Sequence, residues 1–236
     1  MTAAAFADPA PEPAVNPGCT RPGRFRYSVG MKTGPLCAVV FDFDGTLTLP
    51  GALDLPRVKA ELGCPADSSI LEFLESLDDA AFRERAEAVL CAYETEAAAA
   101  SRERPSAGEL IRYIRRHGLK TGIITRNTRA SVLRALENCR GFSLEDFSLL
   151  LTRESPFPVK PEPDGVRYAA QVFGTTPERL LMVGDYIYDI EAGNRAGAST
   201  AFLDALPDRA FPVPKADYVV RDLAELRGII AARLEP

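Results

Sequence analysis

The stretch LCAVVFDFDGT, residues 36–46, runs apolar for six residues and then breaks into two aspartates around one phenylalanine. An apolar run without alternation suits a strand buried on both faces, as in a parallel sheet. Ligands of open parallel sheets bind beyond the carboxyl ends of the strands, and Asp42 and Asp44 fall at that place. A side-chain period of two predicts that both carboxylates point to one side. Two close carboxylates repel unless a positive charge lies beside them, and an oxygen-only pair suits a hard divalent cation such as Mg²⁺. Gly45 permits a sharp turn where the backbone must approach a ligand.

Outward from this stretch the chain alternates. Helices are predicted over 106–118, 130–139, 163–174, 189–197 and 222–234, with strands over 119–125, 147–152, 179–185, 199–203 and 216–220. Ser106 with Glu109 three residues on reads as a capping box for the first helix, and Gly118 as its stop. Repeated strand–helix–strand order implies an α/β fold, a doubly wound parallel sheet with helices on both faces. Residues 49–105 interrupt the alternation. They show only helical patterns, notably at 70–77 and 80–100, and are expected to form a small all-helical insertion after the first strand. Residues 35–48 and 106–236 then make the core domain. Residues 1–34, with Pro9, Pro11, Pro13, Pro17 and Pro22 among alanines and glycines, are expected to be a disordered tail.

Three further places carry chemistry. GDYIYD, residues 184–189, follows a strand and supplies Asp185 and Asp189 one helical turn apart. Beside Asp42 these make a metal-binding set, although Asp189 is also a natural cap for the helix after it. Thr125 ends the strand GIIT, and Arg126 and Asn127 lead into the next helix. The threonine hydroxyl can donate to a phosphate oxygen, with help from backbone N–H groups at the helix start. Lys160 lies between Pro158 and Pro161. Only five of the 28 basic residues are lysine, and a lysine is a compact point charge suited to a phosphoryl oxygen.

These four motifs, in this order, resemble those of the haloacid dehalogenase (HAD) superfamily, over residues 36–203. The resemblance implies that Asp42 is the nucleophile and Asp44 the general acid/base. It further implies that Thr125 and Lys160 bind the phosphoryl group, and that Mg²⁺ is held by the Asp42 carboxylate, the Asp44 main-chain oxygen and Asp185, with Asp189 in support. The insertion resembles a cap of the α-helical type. Dehalogenases of the family lack the second aspartate, so Asp44 points to phosphoryl transfer. Phosphomutases of the family carry a histidine in the cap hinge, whereas the single histidine here, His117, reads as a helix C-terminal residue. The implied activity is hydrolysis of a small phosphorylated metabolite, closest to phosphoglycolate phosphatase-like members. A phosphomutase and a non-catalytic binding protein of the same fold are the other readings. Arg57, Lys59 and Arg126 are candidates for contacting an anionic leaving group.

The bulk numbers agree. The 236 residues are 46% hydrophobic and 26% charged, as in an ordinary globular protein. A net charge of -5 argues against nucleic acid as the main partner. No apolar stretch reaches the ~20 residues that span a bilayer, and the first residues lack the basic and apolar regions of a signal peptide. Cys19, Cys37, Cys64, Cys91 and Cys139 are odd in number and widely spaced. They read as buried small hydrophobes in a reducing, cytoplasmic setting rather than as a disulfide or zinc framework.

Overall fold

A computed structural model of the chain describes residues 34–205 and 214–234. The expected tail, except for Gly34, and Cys19 with it, lies outside these residues. Six parallel strands form one sheet in the order β3-β2-β1-β4-β5-β6. They are β1 (Ala38–Phe41), β2 (Lys120–Ile124), β3 (Leu149–Leu151), β4 (Leu180–Gly184), β5 (Ser199–Leu203) and β6 (Tyr218–Val220). The strand order reverses between β1 and β4, which makes that junction the place where an open sheet of this kind binds its ligand. Phe41 of β1 pairs with Ile123 of β2 and Val183 of β4. Asp42, Thr125 and Asp185 therefore leave the sheet along one edge.

Strand alternation divides the core in two. Val39, Phe41, Ile123, Leu181 and Val183 pack with α4 (Ala107–Arg116), α5 (Arg129–Leu136) and α8 (Leu223–Ala231). Ala38, Val40, Leu180 and Met182 pack on the other face with α6 (Asp164–Val172) and α7 (Ile187–Ala196). The expected doubly wound α/β fold is the one observed. Predicted helix and strand limits shorten by one to three residues at most ends, because the last residue of each apolar run belongs to a turn.

The stretch 49–105 is helical, as expected, with α1 (Leu55–Leu62), α2 (Ile70–Glu75) and α3 (Ala80–Ala100). These helices enclose a hydrophobic cluster of their own, built on Val58, Leu62, Ile70, Leu74, Ala86 and Leu90. Helix α1 has no separate prediction because only Val58 and Leu62 of it are buried, too few to show a period. Its start is marked instead by Asp54, which accepts from Arg57 N at 3.1 Å. The two ends of the insertion are joined at their base: Leu49 N donates to Arg102 O and Arg104 N to Leu47 O, around an antiparallel bridge from Thr48 to Glu103.

Two expectations about local chemistry are corrected. Ser106 does not cap α4 with its side chain; it sits at φ 67°, and the first-turn amide of Gly108 donates to Glu103 instead. The cysteines are not uniformly buried: Cys64 is, Cys37 and Cys139 are half-buried, and Cys91 lies exposed on α3. Among the described residues no helix is long and apolar enough to cross a membrane.

Candidate active site

The residues that end β1 are held from two sides. Asp42 N donates to Val183 O at 2.8 Å, which ties the first aspartate to β4. Its carboxylate accepts from Lys160 Nζ at 2.5 Å, and the same ammonium reaches Asp189 Oδ1 at 2.6 Å. Lys160 is only 3% exposed. Burial alone would pull its pKa down, but Asp189 and Asp42 outweigh burial and push it above the ordinary lysine value. A lysine this deep is therefore a fixed positive charge, not a solvated loop residue.

Asp185 and Asp189 do converge, but not through a shared helix face. Asp185 precedes α7, whose first residue is Ile187. Two glycines bring the carboxylates together: a Cβ on Gly45 would meet Asp185 Oδ2 at 2.2 Å, and one on Gly184 would meet Asp189 Oδ2 at 2.1 Å. Gly45 also sits at φ 84°, a region that side chains avoid. Asp189 caps α7, as expected, by accepting from Tyr186 N at 3.1 Å, and it also pairs with Lys160.

Asp42, Asp185 and Asp189 offer oxygens that all lie within 4.8 Å of one another. The Asp44 carboxylate is outside that group. Burial, then the charges of Asp42 and Asp189, push the Asp185 pKa up to about 8. Burial likewise raises Asp189, against the pull of Lys160. Lys160 bonds only Asp42 and Asp189, and the charge of Arg104 does not outweigh burial at Asp185. A hard divalent cation fits this oxygen-only set and would supply further positive charge.

Asp44 faces elsewhere. Its Oδ2 accepts from Asn127 Nδ2 at 2.9 Å. Asp44 is exposed at the surface, while desolvation by the protein around it raises its pKa to about 6 against the opposing bond from Asn127. Thr125 is buried, with its hydroxyl oxygen accepting from Asn127 N at 3.1 Å. The amides that follow are already engaged: Thr128 N by Asn127 Oδ1, Arg129 N by Glu154, and Ser131 N by the Thr128 hydroxyl. The expected help from backbone N–H groups at the start of α5 is therefore withdrawn for these three.

Arg126 is not free to meet a ligand in this arrangement. It donates to Lys160 O at 2.7 Å, to Glu72 Oε2 of α2 at 2.7 Å and to Ser69 Oγ at 2.9 Å, and it lies 4.8 Å over the Tyr188 ring. It links the helical insertion to the lysine loop. Arg57 stacks over Tyr93 and Lys59 donates to Ala66 O, both within the insertion. His117 closes α4 with Nδ1 2.9 Å from Tyr113 O. The sequence reading passed over four residues. Thr46 donates to Asp185 Oδ1 at 2.9 Å. Arg104 is buried against Gly45 and Thr46. Glu94 of α3 forms a two-point ion pair with Arg153, just past β3. Glu94 had a visible signal: it occupies the buried four-residue row Ala86, Leu90, Ala98 of α3, where a charge needs a partner.

A sequence profile described as haloacid dehalogenase-like hydrolase matches residues 55–197. An uncharacterized hydrolase of Saccharomyces cerevisiae is 32% identical over 70% of this chain and 76% of its own length. A haloacid dehalogenase-like hydrolase domain-containing protein of Arabidopsis thaliana is 33% identical over 85% of this chain and 86% of its own. Among solved structures, one described as a predicted phosphoglycolate phosphatase from Haemophilus somnus superposes with a TM-score of 0.65 at 22% identity, covering 85% of this chain and 99% of that one. At that identity the likeness is one of fold.

Proposed function

Because the chain belongs to the haloacid dehalogenase-like hydrolase family, we propose that it is a Mg²⁺-dependent phosphatase that hydrolyses a small phosphate monoester through an aspartyl-phosphate on Asp42. The observation that carries this reading is the division of labour between the two aspartates. Asp42 is buried and held against a fixed ammonium. Asp44 is exposed, with a pKa raised to about 6, so its carboxyl group can hold and release a proton near neutral pH.

Asp42 attacks phosphorus in line as the ester P–O bond breaks, and Asp44 gives its proton to the departing oxygen. Asp44, now ionised, takes a proton from water as that water attacks the aspartyl-phosphate. The Asp42–P bond breaks, phosphate leaves and both carboxyl groups regain their starting states. Lys160 and the Thr125 hydroxyl stabilise charge on the phosphoryl oxygens. Asn127 orients Asp44 through its 2.9 Å bond. Mg²⁺, when held by Asp42, the Asp44 main-chain oxygen and Asp185, adds positive charge at the same oxygens. Residues 49–105 serve as a cap over a core of 35–48 and 106–236, and the cap chooses the leaving group. Phosphoglycolate is the first candidate substrate. The free thiols of Cys37, Cys64, Cys91 and Cys139 support a reducing, cytoplasmic setting.

Hydrolysis of p-nitrophenyl phosphate tests the reading. Activity is expected to fall to background after chelation and to return with Mg²⁺. Ca²⁺ should inhibit, because it takes more ligands in a looser geometry. A panel of phosphorylated metabolites then ranks substrates. Full activity after exhaustive chelation would remove the cation from the account.

A further inference from the structure

Arg104 lies at the return from the helical insertion to the core, two residues before the left-handed Ser106. Arg104 is 8% exposed, and its guanidinium carries two separate bonds into the nucleophile loop. Nε donates to Thr46 O at 2.9 Å, and a terminal nitrogen donates to Gly45 O. Burial lowers its pKa and the charge of Asp185 acts in the opposite sense, so the two groups feel each other electrostatically. The same loop carries the two features that shape the Asp185 site. Gly45, at φ 84°, leaves room for the Asp185 carboxylate, and the Thr46 hydroxyl donates to Asp185 Oδ1 at 2.9 Å.

A buried guanidinium is costly unless its donors are used. Here a planar fork meets two successive carbonyls, a task that the single ammonium of lysine does not match. Nothing in the phosphoryl chemistry needs Arg104 to touch a substrate. Its bonds end on the backbone of the loop between Asp44 and Leu47.

We propose that Arg104 is a positioning residue: by gripping the Gly45 and Thr46 carbonyls it fixes the Thr46 hydroxyl and the Asp185 carboxylate in the geometry that binds the cation. The inference rests on the phosphatase reading. It also gives the base of the insertion a direct hold on the site, because the segment bearing Arg104 is the one bridged to residues 47–49.

The test compares wild type with Arg104→Met, which keeps the apolar stem, and Arg104→Lys, which keeps the charge but not the fork. Mg²⁺ affinity is read by calorimetry, folding by Tm without added ion, and kcat and KM with p-nitrophenyl phosphate. Losing a group that orients metal ligands weakens metal binding or activity by about 10–100-fold. Arg104→Met is expected to bind Mg²⁺ at least about tenfold more weakly, with kcat reduced and KM at saturating Mg²⁺ little changed. Arg104→Lys should remain impaired in Mg²⁺ affinity with a Tm near wild type. A folded Arg104→Met with wild-type Mg²⁺ affinity and kcat overturns the proposal. If Arg104→Met does not fold, Arg104→Lys decides: wild-type affinity overturns the proposal, and weakened affinity supports it. A wild type that neither binds Mg²⁺ nor hydrolyses the ester overturns the phosphatase reading, and this inference with it.

Discussion

Asp42→Asn is expected to eliminate turnover while leaving the protein folded. The amide has nearly the shape of the carboxylate and its oxygen still accepts from Lys160, which lies 2.5 Å from Asp42 Oδ1. The change removes one of three crowded carboxylates, so repulsion with Asp185 and Asp189 falls and Tm should hold or rise. Chemistry has no such substitute. An amide oxygen does not form a stable bond to phosphorus, and no other carboxylate among the described residues shares the place of Asp42 beside Lys160 at the end of β1. Removing the nucleophile of a covalent hydrolase costs on the order of 10⁶-fold in kcat. Steady-state kinetics beside thermal melts check both halves. Residual turnover above about one per cent of wild type, far more than such a loss leaves, would take the nucleophile's role from Asp42.

Lys160→Met should cost both stability and rate, and the two losses separate. The ammonium is almost fully buried between Asp42 and Asp189. Methionine fills similar volume but leaves both carboxylates uncompensated, and removing one partner of a buried ion pair costs about 3–5 kcal/mol. Adding Asp189→Asn removes one of the stranded charges, so the double variant should recover a good part of the lost stability. It should not recover kcat, because the positive charge meant for the phosphoryl oxygens is still missing. Urea unfolding and kinetics on the single and double variants give the comparison. A single variant as stable and as active as wild type would show that the lysine is incidental to the site.

Much of this site could be read in advance because its residues stand at strand ends. A buried parallel strand announces itself as an unbroken apolar run, and the first polar residue after it falls at the edge where ligands bind. Asp42, Thr125 and Asp185 were found in that way. Lys160 had no strand end to mark it, only its flanking prolines and the scarcity of lysine. Only the fold shows it brought in from the far side of β3 to within 2.6 Å of two aspartates. Asp44 lies in the turn after β1, before the left-handed Gly45, and its carboxylate accepts from Asn127. The contacts that seat the insertion, Arg126 with Glu72 and Arg153 with Glu94, join residues more than fifty positions apart. Local patterns carry no record of such pairs. Arg104 was missed for the same reason, since its partners are main-chain carbonyls, which any sequence supplies.

In this mechanism phosphate passes through Asp42, and Asp44 moves the proton. Asp44→Asn separates the two steps, because it keeps the nucleophile and removes the acid and base. With p-nitrophenyl phosphate the leaving group needs no proton, so the first step should proceed, while hydrolysis of the aspartyl-phosphate slows by roughly 10²–10⁴-fold. Rapid quench in acid followed by peptide mass spectrometry should show a burst of nitrophenol in Asp44→Asn and a phosphoryl group on Asp42. A burst in Asp42→Asn with none in Asp44→Asn would exchange the two roles. Turnover in wild type with no phosphorylated protein from it or from either variant would contradict the covalent route altogether.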